Sequence, residues 1–314
     1  MKIVVTEPQP ISQEVRSILS EIGTVSYGPF EDRALEDYLL DCDILMVRLG
    51  VYIGDNIFRV ARKLRYLVSA TTGLDHIDLE AAASNRVKII CLRDCPEKIK
   101  SISSTAEHTL GLLLALARSL PQATSHVLNG NWNRNQFWGH QLQGKQLGIV
   151  GFGRIGRMVA NYGIAFGMQP VAYDIDTSKI YPPILSVSLE ELVNTSDFIS
   201  VHVTADPENH HLIDQSTISQ FKTGSFFVNT SRGRIVDSRA LADAVISGKI
   251  MGAAVDVIEG EEFGEINSDP LVLCAREGYN VIITPHIGGA TVDAISQAEL
   301  SVVSTLKEYL SDSL

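Results

Sequence analysis

The stretch from Lys145 to Asp176, KQLGIVGFGRIGRMVANYGIAFGMQPVAYDID, restricts the fold more than any other part of the chain. A short apolar run, Leu147 to Val150, predicts a buried parallel strand. Gly151, Gly153 and Gly156 follow at once in the spacing G-x-G-x-x-G. Arg154 to Phe166 then carries Ile155, Met158, Val159 and Tyr162 at helical spacing, and Pro170 to Tyr173 predicts a second strand that ends at Asp174. Gly151 permits the tight turn out of the strand, Gly153 lets the backbone approach a pyrophosphate, and Gly156 lets the helix pack close to the sheet. The phosphates would rest on the N–H groups at the helix N-terminus, where the dipole favours negative charge. Asp174 follows Gly156 by about 20 residues, the offset of a carboxylate that hydrogen-bonds the adenosine ribose hydroxyls. The same charge, with Asp176 beside it, repels a 2′-phosphate, so NAD is expected rather than NADP. Glycine-rich turns also occur with purely structural roles. Here strand, helix, second strand and terminal acid stand in register, and the dinucleotide reading prevails.

At 314 residues the chain exceeds one typical domain, and two are expected. A formal net charge of −11 argues against a nucleic-acid or anionic-membrane partner, each of which needs a basic surface. A small anionic substrate stays open, because a local arginine can overcome the global charge. The four cysteines, Cys42, Cys91, Cys95 and Cys274, lack paired zinc spacing, so no metal site is expected. The opening MKIVVTEP reads as a first strand rather than a signal peptide. The longest apolar run, Leu110 to Ala117, is too short to span a bilayer. A reduced, cytoplasmic compartment is the expectation.

Along the chain, strands and helices alternate. Lys2–Val5, Ile44–Val47, Leu64–Ser69 and Val87–Cys91 read as strands, with helices at Ser12–Ile22 and at Asp78–Ser84, the latter capped by Asp78. Such alternation implies α/β architecture with parallel sheets covered on both faces. Open sheets of this kind bind ligands at the carboxyl ends of their strands. Arg48 and the small-residue turn Thr71-Thr72-Gly73 both occupy such ends, so they are candidate anion contacts. Thr105 to Leu120 is a nearly apolar helix that must be buried on most sides, stopped or bent by Pro121. Its Glu107 and His108 read as structural, and Asn129–Gln136 as a loop into the second domain.

Three later strands end in unusual residues. Phe226–Asn229 runs into Thr230-Ser231-Arg232-Gly233, Ala253–Asp256 into Val257-Ile258-Glu259-Gly260-Glu261, and Val281–Thr284 into Pro285-His286-Ile287-Gly288-Gly289. Moving a hydride between an alcohol carbon and a nicotinamide requires a proton to leave or reach the oxygen, and a histidine does this near neutral pH. A neighbouring carboxylate fixes the tautomer of the imidazole and favours its charged form. A guanidinium grips a substrate carboxylate with two parallel hydrogen bonds. His286, Glu261 and Arg232 fit these three roles.

The segments GFGRIG, NTSRGRIVDSRAL, GAAVDVIEGEE and TPHIGGAT, with TTGLDHIDLEAAA and AEHTLGLLLALAR, resemble the signatures of the D-isomer-specific 2-hydroxyacid dehydrogenases over nearly the whole chain. The resemblance implies two Rossmann-like doubly wound parallel-sheet domains, with the substrate domain discontinuous over 1–99 and 290–314 and the NAD-binding domain over 100–289. It implies a homodimer built on the nucleotide domain and an active site in an interdomain cleft. Position by position, it makes Arg232 the substrate-carboxylate arginine, His286 the acid/base and Glu261 its partner. Asp256 becomes a neighbour of the nicotinamide carboxamide, Arg154 and Ile155 fall on the pyrophosphate turn, and Thr230 and Gly288 join the cofactor contacts. Arg48, Thr71, Thr72 and Gly73 become substrate contacts.

A glutamate at 261 disfavours the formate dehydrogenase branch, which has glutamine there. Two positions depart from the family pattern. Glu262 replaces the usual proline after the catalytic glutamate, and the loop Asp94–Lys100 is about two residues longer than the family pattern. The expected activity is NAD-dependent oxidoreduction at C2 of a small anionic 2-hydroxy or 2-oxo acid. Arg48, Lys98 and Lys100 point to 3-phosphoglycerate/phosphohydroxypyruvate, as in short phosphoglycerate dehydrogenases. Glycerate/hydroxypyruvate–glyoxylate and D-lactate/pyruvate are alternatives, and an NAD-sensing corepressor-like scaffold is the alternative of another class.

Overall fold

The structure, a computed structural model, describes residues 1–7, 11–30, 32–261, 264 and 266–311. Its contacts divide the chain into two compact units, Met1–Ile102 with Ala290–Leu314, and Ser103–Gly289.

The first unit contains β1 (Lys2–Val5), α1 (Gln13–Ile22), β2 (Thr24–Tyr27), α2 (Asp32–Leu39), β3 (Ile44–Val47), α3 (Asp55–Val60), β4 (Tyr66–Ser69), α4 (Leu79–Ser84) and β5 (Lys88–Cys91). The strands pair in parallel in the order β2-β1-β3-β4-β5. Ser12 caps α1 by accepting from the Val15 N–H, and Asp78 caps α4 through Ala81. β3 and β4 are buried along their length, β3 with apolar residues throughout and β4 with Ser69 as its polar end, because helices cover both faces of the sheet.

The second unit contains α5 (Ser104–Ala117), α6 (Leu120–Leu128), β6 (Gln146–Val150), α7 (Arg154–Ala165), β7 (Gln169–Tyr173), β8 (Leu185–Ser186), α8 (Leu189–Thr195), β9 (Phe198–Val201), α9 (Gln215–Ser219), β10 (Ser225–Asn229), α10 (Ser238–Ile246), β11 (Ile250–Val255), α11 (Pro270–Arg276) and β12 (Val281–Ile283). Its seven strands are all parallel, in the order β12-β11-β10-β9-β6-β7-β8. The chain winds outward from β6 in both directions, so β6 and β9 flank the point where the winding reverses.

The final helix, α12 (Val292–Ser311), returns to the first unit. There Ala298, Val302, Val303 and Leu306 join the core of Ile3, Val15, Leu19, Met46 and Val68. The opposite face of that sheet is covered by Leu39, Ile57, Phe58 and Ala82. In the second unit α5 and α7 cover one face, with Leu113, Leu116 and Val159 against Leu147, Ile149 and Phe226. α8 to α11 cover the other, around Phe227, Leu241 and Val255. α5 is buried as its composition requires.

The expected stop near Pro121 is a sharp corner rather than an end. Ser119 takes a left-handed backbone (φ 48°), and α6 begins at once with Pro121 in its first turn, where a missing N–H costs nothing. Both sheets are doubly wound and parallel, as the alternation of strands and helices implies.

Candidate active site

At the end of β6 the three glycines are required for three different reasons. Gly151 has φ 95°, and a β-carbon there would lie 2.8 Å from the His202 carbonyl carbon and the Val203 nitrogen. A β-carbon on Gly156 would overlap the Gly151 carbonyl, so only glycine lets α7 pass this close to its own strand. Gly153, by contrast, faces open space and begins α7 with no side chain capping the helix. An uncapped helix N-terminus facing open space at the reversal point of a parallel sheet fits a dinucleotide pyrophosphate. Arg154 and Ile155 form the first turn beside it, and burial pulls the Arg154 pKa below its ordinary value.

Asp174 closes the same turn. One carboxylate oxygen accepts from the Phe152 N–H at 2.8 Å, and the other accepts from the Asp176 N–H at 2.9 Å. Lys179 lies 3.3 Å from Asp174 and 3.9 Å from Asp176. The two acids therefore repel a 2′-phosphate less than the sequence implies, because one cation serves both. At the end of β9, burial holds the His202 imidazolium down to about 3, so this ring is neutral and shares a 2.8 Å hydrogen bond with Ser200.

The neighbouring strands β10, β11 and β12 bring Arg232, Glu261 and His286 to one edge. After β10, the buried Asn229 side chain accepts from the Ser231 N–H and hydroxyl and donates to the Arg232 carbonyl, which shapes the turn that presents Arg232. The Arg232 Nη1 donates to the Ser231 carbonyl at 2.7 Å. A β-carbon on Gly233 would overlap the Ile258 carbonyl carbon and the Glu259 nitrogen, so the loop after β10 rests directly on the backbone of the loop after β11. Thr230 is buried and shares a 2.8 Å hydroxyl contact with Thr109 of α5.

Glu261 faces the Nδ1 of His286 in a short contact, and its second oxygen accepts from the Ile258 N–H. Glu259 faces elsewhere, toward His210 and His211. The structure thus separates two glutamates that sequence alone leaves adjacent. Glu262, the departure from the family pattern, lies outside the described residues. His286 itself has φ 54°, a conformation that a side chain other than glycine rarely takes.

Asp256 secures that conformation. Its backbone carbonyl accepts from the His286 N–H, and its carboxylate accepts from the Thr284 hydroxyl (2.6 Å), the Ile287 N–H (2.9 Å) and the Gly288 N–H (2.7 Å). Both oxygens thus help to hold the turn that positions His286. His108 adds to this set, with Nε2 at 3.0 Å from the Thr284 hydroxyl. Sequence reasoning assigned no site role to Asn229, Thr284 or His108; the spacing of each gives no hint of its partner, and only the strand order brings them in.

In the first unit the expectation for Arg48 is corrected. Its Nε and Nη2 both donate to one oxygen of Glu299 on α12, a carboxylate that is fully buried. Burial raises the Glu299 pKa while the Arg48 guanidinium opposes the rise. A guanidinium committed to a buried carboxylate is a structural pin, since a lone buried charge would be severely penalised. Lys98 is paired with Glu308 at 2.9 Å and Lys100 with Glu97 at 2.5 Å. All three cations expected to read a phosphate are therefore matched to carboxylates. In the Thr71–Gly73 turn, the Thr71 hydroxyl donates to the Gly73 carbonyl, and Arg93 donates to the Thr72 carbonyl at 2.8 Å. Among the described residues no acceptor takes the N–H groups of Thr72 and Gly73, as an anion cradle requires.

Residues 110–288 match the NAD-binding domain of the D-isomer-specific 2-hydroxyacid dehydrogenases. The chain is 36% identical over 316 residues to a D-3-phosphoglycerate dehydrogenase of Methanocaldococcus jannaschii, covering 99% of this chain and 57% of that protein. It is 34% identical over 304 residues to a hydroxypyruvate reductase of Thermotoga maritima, covering 96% of each. Among solved structures, the D-lactate dehydrogenase of Aquifex aeolicus complexed with NAD and lactic acid superposes with a TM-score of 0.84 at 27% identity, over 99% of this chain and 96% of that one. The chain thus spans little more than half the length of the Methanocaldococcus relative.

Two substitutions test the geometry. Gly233→Ala must force the Arg232 and Glu261 loops apart, and overpacking of this kind costs about 1–3 kcal/mol. A fall in both melting temperature and kcat/KM is expected, and wild-type values for both would show that the loops are not locked together. Asp174→Ala removes the carboxylate while leaving Lys179, so NAD should bind more weakly and NADP use should rise. An unaltered ratio of the two kcat/KM values would displace Asp174 from the ribose.

Proposed function

The chain belongs to the D-isomer-specific 2-hydroxyacid dehydrogenase family, and from that premise we propose that it is an NAD-dependent oxidoreductase acting at C2 of a small, unphosphorylated 2-hydroxy or 2-oxo acid. The observation that carries the reading is the Glu261–His286 pair beside the Arg232 turn, locked together through Gly233 at the edge where the glycine turn also opens. The second unit is the nucleotide domain and the first the substrate domain.

Gly151, Gly153, Arg154, Ile155 and Gly156 hold the pyrophosphate, Asp174 the adenosine ribose, and Thr230 and Gly288 line the nicotinamide end. NAD, when bound, supplies the hydride acceptor or donor. Arg232 grips the substrate carboxylate and polarises the adjoining carbonyl. Glu261 takes the Nδ1 side of His286, which directs Nε2 to the substrate oxygen, and His286 gives up or takes the proton there. Asp256 keeps His286 in its left-handed conformation, so the acid/base group is oriented before substrate arrives. In the first unit the Thr71–Gly73 turn offers its N–H groups to an anion.

The preference for an unphosphorylated acid follows from the pairing of Arg48, Lys98 and Lys100 with carboxylates, which leaves these cations little charge to offer a phosphate. This favours the chemistry named for the Thermotoga relative, hydroxypyruvate reduction, over that named for the Methanocaldococcus relative.

The same reading includes a homodimer. In α6 and the segment after it, Leu128, Trp132 and Trp138 are 81%, 89% and 82% exposed, and apolar side chains clustered in one exposed segment mark a protein contact. A reducing compartment such as the cytoplasm accords with four buried, unpaired cysteines, of which Cys42 is pushed up to about 12 by burial. Among the described residues no helix is long and apolar enough to cross a membrane.

Oxidation of NADH should be fastest with hydroxypyruvate or glyoxylate among hydroxypyruvate, glyoxylate, pyruvate, 2-oxoglutarate and phosphohydroxypyruvate. A clear preference for phosphohydroxypyruvate would overturn the unphosphorylated assignment, and silence across the panel with NAD still bound would favour an NAD-sensing scaffold. His286→Ala should lower kcat by at least about 10²-fold with NAD binding retained; undiminished turnover would remove His286 from the mechanism. Sedimentation equilibrium should give twice the chain mass, falling toward one chain mass in a Trp132→Ser, Trp138→Ser variant, whereas a monomeric wild type would refute the dimer.

A further inference from the structure

Outside the site described above, one cluster has the donor set and spacing of a metal centre. His210 and His211 follow the turn Pro207–Asn209, and both Nε2 atoms face the carboxylate of Glu259. The His210 Nε2 is 3.3 Å from Oε1 and the His211 Nε2 is 3.1 Å from Oε2, and the three ligand atoms fit within 4.8 Å of one another. Consecutive side chains on an extended backbone point to opposite sides. These two do not, because His211 takes φ 48°, and the turn is held by its N–H donating to the Arg234 carbonyl. The two rings consequently stack, with centroids 4.1 Å apart and planes inclined by 23°.

A conformation that is costly for histidine and serves to aim two imidazoles at one carboxylate calls for a reason. A tetrahedral ion bound at about 2.0–2.1 Å requires ligand atoms roughly 3.3 Å apart, close to the distance of each imidazole from its own carboxylate oxygen, and a small rotation of the exposed side chains brings all three together.

We infer that His210, His211 and Glu259 form a binding site for a divalent late transition ion of the zinc type, with a fourth position left to solvent. Two imidazoles and one carboxylate suit zinc and its neighbours, whereas magnesium and calcium take oxygen ligands. Its ligands include neither Glu261 nor His286, so the ion would act on structure. It ties the segment before His210 to the loop after β11, two residues from Glu261, and Gly233 packs against that same loop. Occupancy should hold the loop in place and raise the stability of the second unit. The inference does not depend on the substrate or on the reaction.

The test is calorimetric titration of zinc chloride into the full chain after chelator treatment and desalting. One equivalent should bind with a dissociation constant in the micromolar range or tighter, and magnesium chloride should give no binding. Removing a direct ligand should weaken the site at least as much as removing an outer-shell partner does. His210→Ala and His211→Asn should therefore each lower zinc affinity by at least about 10-fold. Asparagine tolerates the left-handed backbone, so the second variant keeps the fold. Zinc should raise the melting temperature of the wild type by about 3–5 °C and leave that of His211→Asn unmoved. His286→Ala should retain the full equivalent, which separates this site from the Glu261–His286 pair. Absence of zinc binding by the wild type, or wild-type affinity in both histidine variants, would overturn the assignment.

Discussion

A single buried side chain organises the edge of the second sheet where His286 stands. Asp256 is 2% exposed, and it accepts from two backbone N–H groups and a hydroxyl. Each such hydrogen bond contributes about 1 kcal/mol net. That stabilisation offsets the left-handed backbone of His286, which would otherwise relax. His286 is thereby oriented by the strand before it, and pre-orientation of a side chain lowers the entropic part of any step it takes part in.

Close backbone approach is the second constraint, and it acts at two glycines. Gly156 sets how near α7 comes to its strand, and Gly233 sets how near the loop after β10 comes to the loop after β11. The first approach opens the helix N-terminus to a phosphate, and the second brings Arg232 and Glu261 onto one edge. In both places a methyl group would meet backbone, which cannot swing aside as a side chain can. Charge pairing works with this geometry: Arg48, Lys98 and Lys100 are paired with carboxylates, while among the described residues no acceptor takes the N–H groups of Thr72 and Gly73.

What the chain announces in advance is what local chemistry controls. Lys2–Val5 and Ile44–Val47 are read correctly as strands because a buried parallel strand is a near-continuous apolar run. Asp78 declares its helix because a cap acts over three residues. β2 and the two-residue β8 escape notice, since both lie at sheet edges where polar side chains are tolerated. α6 escapes because Pro121 reads as a stop, although proline is also at home in a first turn.

By itself the sequence determined the dinucleotide turn, the two parallel α/β sheets and the placement of Arg232, Glu261 and His286 just past the ends of strands. Each of these depends on contacts between near neighbours or on residues at the ends of recognisable strands. Tertiary structure alone decided which glutamate faces His286, that Arg48 is bound to a residue 251 positions away, and that Asp256, Thr284 and His108 form one hydrogen-bonded set. It also decided that His210 and His211 converge on Glu259. The reason is the same in each case. Side-chain direction at a loop depends on the backbone it packs against, and that backbone is brought there by the order of the strands.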